Sequence, residues 1–191
     1  RYFAKGYGLL TEDAWVNDGP KDVLQDLLST YVPSDFYSAV CDHDALKAAR
    51  DKPEIDVKTR WNGIKRAWRQ IRHTGYGEAM ARHAKEIYGI DRITGKSLAK
   101  AKRTLMKLRM PGQRYRLLKK VANLDHVQID GGFPPAPDQS GPDFFFYDIS
   151  WAHFSGGLPN IKGLLAHLGG DITDLKSYRR MMETVFDKYA N

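Results

Sequence analysis

The chain has 191 residues, 42% of them apolar and 28% charged, with a net charge of +7. That is enough apolar chain for a domain with its own core, and it excludes the disordered and fibrous classes. No apolar run approaches the ~20 residues that span a bilayer, no apolar signal core follows Arg1, and the single cysteine excludes a disulfide framework or a cysteine-cluster metal site.

In chain order, residues 20–32 read as a helix. Gly19-Pro20 breaks the chain ahead of it, Val23, Leu24, Leu27, Leu28 and Tyr31 recur at helical spacing, and Pro33 is expected to stop it. Ser34 is the expected N-cap of a short second helix through Phe36, Tyr37 and Val40, and Asp42 starts a third that ends before Pro53. Cys41 between them is expected to be a small core residue. Residues 57–73 give the clearest pattern. Trp61, Ile64, Trp68 and Ile71 form one stripe, and Lys58, Arg66, Arg69 and Arg72 lie on the other face.

Thr74-Gly75-Tyr76-Gly77 interrupts this pattern. The next helix turns Met80, Ala84 and Ile87 inward and ends at Gly89, in the position of a C′ glycine. A helix over 97–109 follows, with Leu98, Ala101, Leu105 and Leu108 inside. Pro111-Gly112 turns the chain, and 114–122 is again helical with Leu117, Leu118 and Val121 apolar. Residues 126–130 alternate as a short strand ending at Gly131-Gly132, and the proline-rich 133–142 is a loop. Residues 143–149 are a buried strand or a tightly packed turn. Residues 159–168 read as a helix. Asp174 caps the last one, expected to turn Leu175, Tyr178, Met182, Val185 and Tyr189 inward. The pattern therefore predicts a mainly α fold with a small β element. The helical region is 1–123; 124–191 adds strand-loop segments and C-terminal helices packed with it as one domain.

The charge is uneven. Between Asp91 and Asp125 there are eleven Lys and Arg residues and no acid, so this arm alone makes the chain basic. Such a field attracts nucleic acid or acidic surfaces, and it is equally the field of a solvated face. The six histidines form no His-x-His, His-x-x-x-His or His-Glu-x-x-His, and neither a phosphate-binding glycine loop nor a Gly-x-Ser-x-Gly elbow is present.

Two clusters stand out. Arg72-His73-Thr74-Gly75-Tyr76-Gly77 lies at a break between helices, where it is either a tight corner or a corner aiming Arg72, His73 or Tyr76 at an anionic substrate. Asp130-Gly131-Gly132-Phe133 lies at a strand end, where it is either a self-bonded turn or a ligand-facing edge.

Several segments, in order, resemble a branch of the metal-dependent amidohydrolase superfamily similar to uronate isomerases. They are Tyr31 to Ala39, Arg60-Trp61 to Trp68, Arg72 to Gly77, Ile87 to Asp91, His126 to Phe133 and Phe145 to Trp151. The resemblance covers most of the chain and implies a helical insertion excised from a TIM-barrel hydrolase. In such an enzyme the insertion acts as a lid that shapes the substrate pocket. It implies a divalent metal in the parent enzyme. The family's metal ligands correspond to no position here, so the chain alone is expected to hold no metal or other cofactor and to be inactive in isolation. No catalytic residue is assigned. Arg72, Tyr76 and Asp130 are the substrate-pocket candidates. The implied partners are the rest of the barrel and a small-molecule substrate, with no membrane and a cytoplasmic setting. The alternative is a basic helical module for nucleic acid or for protein interaction. Against nucleic acid, the basic residues lie opposite ordinary apolar stripes and no nucleic-acid motif accompanies them.

Overall fold

Polar caps cut the apolar chain into short helices. The computed structural model describes residues 11–29, 31–39, 41–129, 143–147 and 171–189. Helix α1 (Glu12–Asp18) starts at Thr11, whose side chain accepts from Ala14 N–H. Its first turn carries Glu12 and Asp13, where the helix dipole favours negative charge. Aspartates cap α2 (Val23–Leu27), α4 (His43–Asp51) and α5 (Val57–Ile71) through Asp22, Asp42 and Asp56. Thr74 caps α6 (Gly75–Tyr88), and Thr94 caps α7 (Gly95–Leu108) in a reciprocal box with Ser97. Gly89 ends α6 at φ +66°, a conformation that a side chain would strain.

The expected helix over 20–32 is two elements. α2 stops at Leu27, and Pro33 sits in the first turn of α3 (Val32–Ser38) instead of terminating its predecessor. A proline lacks the N–H that a first turn leaves unbonded anyway, so it starts this helix. The cap of α3 is Tyr31, not Ser34, and no side chain bonds to the helix start. Helix α8 (Gln113–Tyr115) passes into a π-helical stretch, Arg116–Val121, in which Leu117 and Leu118 are half-buried and Val121 is exposed.

Strands β1 (Val127–Ile129) and β2 (Phe145–Tyr147) pair in parallel, Val127 opposite Phe145. Residues 145–147 are thus strand rather than turn. Phe144 and Phe145 pack with Val127 and Leu118, while Phe146 stays half-exposed. The described chain is mainly helical with this one small sheet. It divides into two compact units. One holds the described residues up to 129 together with 143–147, and the other holds 171–189. In the latter, α9 (Leu175–Tyr189) is capped by Asp174, which accepts from Ser177 N–H at 2.7 Å. Leu175 is 81% exposed, because the residue just after a cap lies at the open end of its helix, whereas Tyr178 and Met182 of the expected stripe are half-buried on either side of the buried Met181. The side chains of Val185 and Tyr189 lie outside the described residues. The expected helix over 159–168 lies outside the described residues.

The core of the first unit centres on α5. Trp61, Ile64, Ala67 and Ile71 are buried against α4 and α7, and Trp68 is half-buried with its ring 6.2 Å from Trp61. Trp61→Ala should cost about 3–5 kcal/mol, the range for emptying a large aromatic site. The half-buried Trp68→Ala should cost clearly less. Urea unfolding of both variants measures the difference, and equal losses would show that the burial pattern of this stripe is misassigned.

Candidate functional site

The α5–α6 corner is built by Thr74. Its Oγ1 accepts from Gly77 N–H at 3.1 Å, and its hydroxyl lies against both the Ile71 carbonyl at 2.8 Å and the Asp35 carboxylate of α3. Gly77 lets the first turn of α6 pass directly over the end of α5. A Cβ there would stand 1.9 Å from the Ile71 carbonyl oxygen. Gly75 faces open space. The two glycines thus lie inside the first turn of α6, and the helical break is confined to 72–74.

Two of the three pocket candidates occupy this corner. Arg72 is exposed. Its Nε donates to His73 Nε2 at 3.0 Å, and its two terminal nitrogens have no partner among the described residues. Tyr76 is half-exposed, its ring 6.1 Å from that of the equally exposed Tyr31. The corner therefore offers a guanidinium fork and a pair of aromatic rings. That combination binds planar anions by two-point hydrogen bonding and covers apolar faces. Asp130, the third candidate, lies outside the described residues.

Beside the corner, a cleft of about 480 Å³ runs between the α3–α4 connection and α5, lined by Cys41, Asp42, Arg66 and Gln70 among others. The Cys41 thiol is buried, and burial and then the Asp42 charge raise its pKa, which holds it protonated. A thiol of that kind is a poor nucleophile.

A buried polar network is missing from the sequence-based candidates. Asp26 of α2 accepts from the Tyr88 hydroxyl at 2.6 Å and lies 3.0 Å from His83 Nε2, both from α6. The His83 and Tyr88 rings stack at 5.6 Å. Arg114 of α8 is buried with its guanidinium 4.8 Å over the Trp15 ring. Burial pushes its pKa down to about 10, and the charges of Asp26, Glu12 and Tyr88 oppose that shift. Burial, then the Asp26 charge, pushes the Tyr88 phenol far above its ordinary value, so it remains a hydrogen-bond donor. Among the described residues no buried side-chain nitrogen or oxygen lacks a hydrogen-bond partner, so the network reads as structural support. The signal for it was Gln25-Asp26 inside the otherwise apolar run 23–28: a carboxylate there is buried and needs partners.

Gly77→Ala should destabilise the protein by about 1–3 kcal/mol, the cost of forcing atoms into a filled space. Gly75→Ala should stabilise it by about 0.5–1 kcal/mol, because the alanine has less backbone entropy to lose. Thermal melts of the two variants check the contrast, and equal shifts would contradict the corner geometry. Compared with protein-family models, with curated proteins and with solved structures, the chain finds no match.

Proposed function

We propose that this chain is the helical insertion of a metal-dependent hydrolase of the amidohydrolase type, acting as a lid that shapes the substrate pocket. The observation that carries the reading is Arg72. It is a guanidinium whose two terminal nitrogens have no partner among the described residues, on a corner held by Thr74 and Gly77, and it falls in a segment that resembles the insertion of that superfamily. A charged donor on a fixed turn needs only its own side chain ordered to meet an anion, which limits the entropy lost on binding.

In this reading Arg72 receives a carboxylate or comparable planar anion on the substrate through two parallel hydrogen bonds. Tyr76 and Tyr31 cover the substrate's apolar face and exclude water as the lid closes. Among the described residues, no three His, Cys, Asp or Glu side chains come together as a metal site requires. The metal belongs to the rest of the proposed parent, and these residues serve binding and orientation. No described helix is long and apolar enough to cross a membrane.

Kinetics of the natural full-length gene product test the proposal. Arg72→Ala should raise KM for a carboxylate-bearing substrate by about 10- to 150-fold, the equivalent of one charged hydrogen-bond pair. The melting temperature should hardly change, since the side chain is exposed. Arg72→Lys should recover only part of the loss, because an ammonium lacks the planar fork. An Arg72→Ala enzyme with unchanged KM and kcat would remove the role assigned to this corner.

A further inference from the structure

The acid-free arm does not spread its charge evenly in three dimensions. Arg114 is buried and Arg109 is consumed in bonding: its guanidinium donates to the carbonyls of Trp15, Val16, Asn17 and Pro20, closing the C-terminal end of α1. The surface field therefore comes chiefly from α7. On that helix Lys96, Lys100, Arg103 and Lys107 follow one another at four-, three- and four-residue intervals. They lie directly opposite the buried stripe of Leu98, Ala101 and Leu105. All four are exposed, and none has a partner among the described residues. At 1.5 Å per residue they form a ridge about 16 Å long.

Near the start of the ridge, Gly95 lets α7 begin against α5. A Cβ there would stand 2.8 Å from Lys58 Cα, so another exposed lysine borders the ridge. Two acids near the start of the ridge are already engaged: Asp56, two residues before Lys58, caps α5, and Asp91 lies 3.8 Å from Lys85. Toward the far end the ridge is bordered by Met106 and Met110, which are 48% and 59% exposed.

We propose that this face of α7 docks an acidic amphipathic helix of a protein partner. The cations repeat at the interval with which carboxylates recur along one face of a helix, so two such helices side by side match charge for charge. Exposed methionines add adaptable apolar contact, which a protein helix uses and a phosphate backbone does not. Each exposed ion pair contributes little, so the specificity lies in the row and its apolar border.

The test uses the whole chain and two probes in fluorescence anisotropy at about 50 mM and 300 mM salt. One probe is a synthetic helix of about four turns, with Glu at the matching intervals and Leu beside them. The other is a single-stranded oligouridylate of similar charge. The proposal expects saturable binding of the acidic helix, weakened by salt, and tighter than binding of the oligouridylate. Lys100→Glu with Arg103→Glu should weaken it at least about tenfold, from up to about fivefold for each exposed pair lost and further repulsion. The same charge change placed elsewhere, Lys47→Glu with Lys65→Glu, should weaken it by less than about twofold. Circular dichroism confirms that both double variants remain folded. Absence of binding, equal loss in the two variants, or tighter binding of the oligouridylate would each overturn the proposal.

Discussion

The carboxylate of Asp26, 2% exposed in the middle of an apolar helix, is the constraint around which the first unit is arranged. An isolated buried charge costs far more than a small fold's net stability, so partners must converge on it. Tyr88 and His83 reach it from α6, and the buried charge of Arg114 lies close enough to interact with it from α8. Arg114 in turn covers Trp15 of α1. One acid thereby links α1 and α2 to α6 and α8, which lie far along the sequence. Removing one partner from such a group leaves an uncompensated charge, with a typical cost of about 3–5 kcal/mol. Among the described residues, no buried side-chain nitrogen or oxygen lacks a hydrogen-bond partner.

The same economy holds α1 in place. Trp15 Nε1 donates to the Leu108 carbonyl at 2.8 Å, and the next residue of that segment, Arg109, donates back to the last carbonyls of α1. Glu12 accepts from the N–H groups of Gly112 and Tyr115, capping the start of α8. Orphan groups at one helix's end and another's start are satisfied by each other's side chains. A second buried pair, Asp22 with Arg60, ties α2 to α5, and Arg60 also donates to the Ile55 and Ala49 carbonyls at 2.8 Å. These ties fix α5, and Thr74 and Gly77 carry that rigidity to the corner where Arg72 and Tyr76 face outward.

Where a helix obeys one dominant stripe, its place was legible in the sequence. The α5 stripe and the inward residues of α7 follow from spacing, and the Asp42 cap and the Gly89 terminus from the residue types that helix ends require. Legibility failed where an alternative local preference decided the outcome. Pro33 reads as a stop, yet it suits a first turn equally well, and only the packing of α3 on α5 and α6 selects between them. Arg114 looks like one more surface cation in a basic arm, because Tyr88, Asp26 and Trp15, which it meets in space, all lie far before it in the sequence. The exposure of Arg72 is legible from its place opposite the apolar stripe of α5, whereas the glycine-flanked break leaves Tyr76 open to either packing over the corner or facing outward. The Tyr31 ring beside Tyr76 was not, since it depends on how α3 meets α6.

Elemental analysis of the natural full-length gene product, purified without chelator, bears most directly on the proposal of a metal-dependent hydrolase. Residues 1–191 should be purified and measured beside it. The proposal predicts a stoichiometric divalent ion in the full-length product and none retained by residues 1–191. A metal-free full-length product, or a stoichiometric ion retained by residues 1–191 alone, would contradict it.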